Sequence, residues 1–193
     1  MKKFLLALFV MFFAAQTWAA MDAASVPKKK QTPQGLYLSA KDAHDMVQKD
    51  SAKVLFIDVR TQAEVEFVGM STMVDANIPY LLSNVTEWDA KKNVFSKAPN
   101  SGFQAAVEAQ LAKKGLSKSA PIVVMCRSGD RSAKAAELLS KLGYANVYSV
   151  VDGFEGDVAK EGAHKGQRVV NGWKNAGLPW SYKLDKAKMY LEF

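Results

Sequence analysis

The sequence predicts an α/β fold on a parallel sheet, and three observations carry that reading. Val54-Leu55-Phe56-Ile57 and Pro121-Ile122-Val123-Val124-Met125 are short, unbroken apolar runs, the pattern of strands buried on both faces. Asn146 to Val151, with its VYSVV core, gives a third. Stretches with helical spacing of apolar residues lie between them, and strands alternating with helices argue for crossover connections and a parallel sheet.

In chain order, Met1-Lys2-Lys3 supplies a positive start, Phe4 to Ala15 is almost wholly apolar, and Thr17-Trp18-Ala19 has small residues where a signal peptidase reads. Residues 1–19 are therefore expected to be a secretory signal, cut after Ala19. The run is short for a bilayer span. Residues 20–35 read as a flexible leader, with Lys28-Lys29-Lys30 between Pro27 and Pro33 as a solvated tether. Ser39 followed by Asp42 marks a helix start, and Ala43, Met46 and Val47 form its apolar stripe. After Asp58-Val59-Arg60, Ala63 to Phe67 predicts a short helix ended by Gly69, and Val74 to Ile78 a short strand stopped by Pro79. Tyr80 to Ser101 reads as a short helix and a long loop. Gly102 to Lys114 fits a helix with Phe103, Val107 and Leu111 on one face and Gly115 as its cap. Arg131 to Leu142 is a helix stopped by Gly143. Gly156 to Gly172 reads as a surface loop, Gly172 to Pro179 as a last short helix, and residues 183–193 as a tail.

A chain of 193 residues favours one domain and can bury a core without disulfides or metals. The net charge of +7, less Lys2 and Lys3 with the signal, leaves +5, spread along the chain. Without aromatic-basic clustering this argues against nucleic acid and for small anions. A single cysteine excludes an internal disulfide. One Cys with His44 and His164 far apart has no metal-ligand spacing.

The chemistry is concentrated in Met125-Cys126-Arg127-Ser128-Gly129-Asp130-Arg131-Ser132-Ala133. It joins a buried strand to a helix. Ligands of open parallel sheets bind beyond the strands' carboxyl ends, where helix N-termini offer free amides. Gly129 permits a turn that side chains would obstruct. Arg127 and Arg131 add permanent positive charge. Such a setting favours a thiolate, the nucleophilic form of cysteine, and can hold a persulfide anion or an oxyanion. The expectation is a Cys126 sulfur open to solvent at the mouth of an amide-lined bowl. A lone Cys at a strand end is otherwise a small buried hydrophobe.

The loop Cys126-Arg127-Ser128-Gly129-Asp130-Arg131-Ser132 resembles the active-site loop of the rhodanese-like family. Leu55 to Arg60 with Glu64 is similar to the family's early "IDVR…E" signature, and Asn77-Ile78-Pro79 to its "NIP" element. Leu142-Gly143-Tyr144 with Val147-Tyr148 and Asp152-Gly153-Phe154, then Trp173 with Ala176 to Pro179, match the later elements. The resemblance spans residues 36–182. It implies a three-layer α/β fold with a five-stranded, mostly parallel sheet flanked by helices. It implies that Cys126 takes a sulfane sulfur from an anionic donor such as thiosulfate and passes it to cyanide, a small thiol or a protein thiol, with no cofactor. Arg127, Ser128, Gly129, Asp130, Arg131 and Ser132 would then hold the persulfide and its donor. Three departures stand out: Val68-Gly69-Met70-Ser71 has no His, Phe154 replaces a Gly, and Gly156 to Gly172 looks inserted, as a lid, a partner surface or an idle loop. Asp58 and Arg60 are supporting residues. Asp58 either braces the loop or belongs to a structural ion-pair set that includes Arg60 with Glu64. Phe154 and Trp173 wall the pocket or fill the core.

Two other functions share these residues. Cys-dependent phosphatases and arsenate reductases place five residues between Cys and Arg, whereas four separate Cys126 from Arg131. A persulfide carrier or redox partner in the cell envelope would need an outside acceptor, as would any chain lacking a second thiol.

Overall fold

The computed structural model describes residues 21–191; the expected signal segment, residues 1–19, and Ala20 at the start of the leader lie outside them. Five strands form one sheet: β1 (Tyr37–Leu38), β2 (Leu55–Asp58), and, beyond a two-residue strand β3 (Met70–Ser71), β4 (Ala76–Asn77), then β7 (Pro121–Met125) and β8 (Asn146–Val150). Their order is β1-β8-β7-β2-β4 and every pairing is parallel. The fold is the expected three-layer α/β arrangement.

Period-two alternation distributes the strand side chains between two helix layers. Leu55, Ile57, Ile122, Val124 and Val147 face α3 (Phe103–Lys113) and α4 (Asp130–Lys141). Phe56, Val123, Met125, Tyr148 and Val150 face α1 (Ala40–Asp50) and α2 (Gln62–Val68). Ser39 and Asp42 form a reciprocal capping box on α1, and Thr61 and Glu64 form another on α2. Asp58 at the end of β2 is in register with Met125 at the end of β7, and the Val59 amide donates to the Met125 carbonyl at 2.8 Å. The two strand ends flagged by the sequence are thus neighbours.

Three expectations are corrected, and the tail, whose order the sequence left open, is placed. Tyr80 to Ser101 is an antiparallel hairpin, β5 (Leu81–Asp89) and β6 (Val94–Pro99). Val85, Thr86, Trp88, Val94 and Phe95 favour extended backbone. Most of their side chains stay exposed, so no half-buried alternation betrays the strands. The Asp89 carboxylate accepts the Lys91 and Lys92 amides at 3.1 Å each and closes the turn. Residues 172–179 form turns rather than a helix, because Gly172 and Gly177 adopt positive φ. The tail packs: Tyr190 is buried and its hydroxyl donates to Asn100 Oδ1 at 3.1 Å.

The described part of the leader is ordered as well, as two 3₁₀ turns, Ala23–Ser25 and Lys28–Lys30. Val26 packs against Tyr37 and Val151. Lys30, expected in a solvated tether, is 3% exposed and donates to the Val151 carbonyl at 2.9 Å and to both Asp157 carboxylate oxygens at 2.9 and 3.0 Å. A buried ammonium is tolerable only when paired in this way.

Candidate functional site

Cys126 follows β7, and the chain turns into α4 within four residues. Gly129 caps that helix with φ 95°, and its amide donates to Cys126 Sγ at 3.2 Å. One amide is therefore aimed at the sulfur, at the positive end of a twelve-residue helix. The sulfur is not open to solvent as expected: Cys126 is 1% exposed. Its side chain continues the alternation of Ile122 and Val124 into the α3–α4 layer, and the loop curls over it.

The loop is fastened from behind by the chain after β8. The Phe154 amide donates to the Cys126 carbonyl at 2.8 Å, and the Glu155 and Gly156 amides to the Arg127 carbonyl at 2.9 and 3.2 Å. Gly153 makes this approach possible. At φ 65°, a Cβ there would stand 2.6 Å from the Cys126 carbonyl oxygen and from the Ser128 amide nitrogen.

The two arginines part company. Arg127 is exposed and enters no ion pair among the described residues. Arg131 is largely buried and binds Glu64 bidentately, Nη1 to Oε2 at 2.6 Å and Nη2 to Oε1 at 2.5 Å. Both terminal nitrogens donate to Glu64, so the Arg131 guanidinium is held in place beside the loop. Burial alone would push the Glu64 carboxyl up, but the hydrogen bonds and charge of Arg131, with Lys97 behind them, hold it at about 2. Burial likewise works against the Arg131 charge, yet Glu64 outweighs it and raises the group above its ordinary range, with the Cys126 charge acting the same way. Lys97, on β6, stands 3.9 Å from Glu64. Burial lowers its pKa foremost, Glu64 opposes, and Arg131 and Arg127 lower it further. A cluster of Arg131, Glu64 and Lys97 therefore flanks the sulfur.

Of the remaining loop residues, Ser128 is partly exposed and Asp130 meets Lys29 at 3.0 Å. Ser132 is fully buried and its hydroxyl finds no partner, a donor the fold leaves unspent. Asp58 and Arg60 form a fully buried pair at 2.6 Å, and Arg60 also donates to the Gly69 carbonyl at 2.8 Å. Among the described residues the Asp58 carboxylate bonds Arg60 and not the loop, and Glu64 pairs with Arg131 rather than with Arg60. The guanidinium of Arg60 lies 4.0 Å above the Phe154 ring, whose amide fastens the loop. Trp173 is core, packed on Phe56 with its indole N–H donating to the Pro179 carbonyl.

Sequence reasoning missed Lys97, Lys30 and the Arg131–Glu64 partnership. The signal for Glu64 was present in Thr61-x-x-Glu64; Lys97 gave none, because its hairpin was unreadable. Among the described residues no group of three or more His, Cys, Asp or Glu could hold a metal, and no helix is long and apolar enough to cross a membrane.

Beside the loop lies a cleft of about 1070 Å³. Arg127, Ser128 and Asp130 supply one side, Lys29 and Lys30 of the leader a second, and residues 157–170 the third. The excursion 156–172 is a short hairpin-like turn, held by a bridge between Val158 and Arg168.

Comparison with known proteins agrees with this architecture. The profile of the Rhodanese-like domain matches residues 39–160. An uncharacterized protein of Rickettsia conorii is 31% identical over 141 residues, 72% of this chain and 92% of that protein. A thiosulfate sulfurtransferase GlpE of Actinobacillus succinogenes is 39% identical over 59 residues, 31% of this chain and 39% of that protein. The crystal structure of Rv0390 from M. tuberculosis superimposes with a TM-score of 0.58 at 28% identity, covering 76% of this chain and 97% of that one.

Proposed function

Since the chain belongs to the Rhodanese-like domain family, we propose that it is an exported sulfurtransferase whose Cys126 carries the transferred sulfur as a persulfide. The observation that carries this reading is the Gly129 amide on Cys126 Sγ, inside a loop that holds Arg127 and Arg131 at the head of α4. The partial similarity to a thiosulfate sulfurtransferase supports it.

In the first half-reaction the Cys126 thiolate attacks the outer sulfur of thiosulfate. A bond forms between Sγ and that sulfur, the donor's S–S bond breaks, and its electron pair leaves with sulfite. In the second, an acceptor thiolate or cyanide attacks the outer sulfur of the persulfide. The new S–S or S–C bond forms, the enzyme's S–S bond breaks, and the pair returns to Sγ as thiolate. No external oxidant is needed. The outer sulfur lies about 2 Å beyond Sγ, so an acceptor need not reach the buried Cys126 atom itself. Arg127 neutralises the incoming anion. Arg131, locked by Glu64, acts as a fixed positive charge beside the sulfur, and the Gly129 amide holds the thiolate. Discharge requires an acceptor from outside, because the chain has one cysteine. Export rests on residues 1–19 and implies a periplasmic or secreted protein.

A second reading is a persulfide carrier that discharges only to a protein thiol. The 1% exposure of Cys126, which shields the sulfur from stray thiols, favours it.

The test is turnover of thiosulfate with cyanide, alongside an aryl phosphate. Thiocyanate formation that Cys126→Ser abolishes without loss of the folded state is expected. Arg127→Ala should raise the KM for thiosulfate. Phosphate release without thiocyanate would overturn the proposal, and a stable persulfide that no small acceptor discharges would transfer it to the carrier reading.

A further inference from the structure

The cleft beside the loop is far roomier than thiosulfate or cyanide requires. At about 1070 Å³ it has the size of sites that take drug-sized organic ligands. Its charge is one-sided. Lys29 is paired with Asp130 and Lys30 with Asp157, at 3.0 and 2.9 Å. Arg127, Lys160, Lys165 and Arg168 remain, against the single carboxylate of Glu161. None of these four cations enters an ion pair among the described residues. Val158 and Val170, 39% and 58% exposed, line the same space and would cover a carbon skeleton.

The walls are tied to the reacting loop. Arg127 accepts the Glu155 and Gly156 amides on its carbonyl, at the root of the excursion. Arg168 donates to the Gly156 carbonyl at 2.6 Å, and Lys30 ties the excursion's Asp157 to the Val151 carbonyl. Burial lowers the pKa of Arg168 foremost and the Arg127 charge lowers it further, while Glu155, Asp157 and Asp130 oppose, so the two guanidinium groups share one field. Lys29 and Lys30 precede the matched residues 39–160, and Lys165 and Arg168 follow them.

We propose that this cleft is a second anion subsite, which seats an organic thiol bearing two or more further negative charges as the sulfur acceptor. The inference rests on the sulfurtransferase reading. The acceptor's anionic groups sit against Lys160, Lys165 and Arg168, and its carbon chain lies on Val158 and Val170. Its thiolate then approaches the loop at Arg127 and attacks the outer persulfide sulfur. It leaves as the organic persulfide, and the S–S electron pair stays on Cys126.

The test compares two acceptors for the thiosulfate-charged full-length protein: mercaptosuccinate, a dicarboxylate thiol, and thioglycerol, a neutral one. The wild type is expected to favour mercaptosuccinate by at least fivefold in kcat/KM at low salt. That preference should vanish near 1 M salt, where screening confines charge effects to about 3 Å. Lys160→Ser with Lys165→Ser, both on exposed positions, should remove the preference while thioglycerol and cyanide turnover stay at wild-type values, which also shows the fold intact. Calorimetric binding of mercaptosuccinate to the resting protein gives a readout independent of turnover and should weaken at least fivefold in the double variant. Absence of the preference, or its survival in the double variant, overturns the inference while cyanide turnover leaves the sulfurtransferase reading standing. Lysine-dependent binding without any sulfur transfer would instead sink the sulfurtransferase reading and, with it, the acceptor role of the subsite.

Discussion

Replacing Glu64 with Gln removes the carboxylate that fixes Arg131 beside the sulfur. The fold holds that carboxyl at about 2 against an ordinary 4.5. At about 1.36 kcal/mol per tenfold change in proton affinity, this is a stabilisation of roughly 3 kcal/mol, in line with the 3–5 kcal/mol typical of breaking a buried pair. The group's folded pKa is depressed. Its contribution is therefore complete above the unfolded value of 4.5 and is lost as pH falls from there toward 2. Urea unfolding from pH 7 to pH 3, followed by tryptophan fluorescence, measures both effects. Glu64→Gln should lower stability at pH 7 by about 3 kcal/mol and flatten the acid limb of the profile. Arg131→Gln added to Glu64→Gln should cost clearly less than the two singles together, since the pair is then absent on both sides. Sulfur transfer should fall in either single variant. A Glu64→Gln protein within about 0.5 kcal/mol of wild type, with an unchanged acid limb, would refute the reasoning.

Two further outcomes follow from the ground behind the loop. Burial raises the Asp152 carboxyl to about 6, and one of its oxygens has no partner. Its ionisation opposes folding, so that cost is absent below the ordinary 3.8 and grows as pH rises toward 6. Asp152→Asn should therefore stabilise the protein at pH 7 by roughly 1–3 kcal/mol and not at pH 3.5, by urea unfolding at both values. An unchanged difference between the two pH values would contradict the assignment. Gly153→Ala should lower stability by roughly 2 kcal/mol or more and abolish sulfur transfer, because it forces a side chain against the loop backbone at positive φ. A wild-type melting temperature would show that the close approach relaxes freely.

The sheet and the polar loop that follows Cys126 were legible because both write themselves in local pattern. Unbroken apolar runs at 54–57 and 121–125, too short for a helix, read as strands buried on both faces, and the polar stretch after Met125 interrupts such a run where packing alone would not. Capping boxes at Ser39 and Thr61 likewise lie within four residues. What stayed hidden depends on distant partners. Nothing in the sequence near Lys30 announces Asp157, 127 residues on, so three consecutive lysines read as solvated. Arg131 and Glu64 are 67 residues apart, and the nearer pairing of Arg60 with Glu64 looked as good. The exposed hairpin at 81–99 fell between templates, since a two-stranded ribbon with little buried surface shows no half-apolar alternation.

The carbonyls of Cys126 and Arg127 are both occupied by the chain at 154–156. That fixes from behind the two peptide planes between Cys126 and Ser128, at the base of the loop that holds the sulfur. On the proposed persulfide cycle, the frame met by a bare thiolate would be the frame met after a second sulfur has been added, so charging and discharging would run on one mould with little solvent-like rearrangement to repeat.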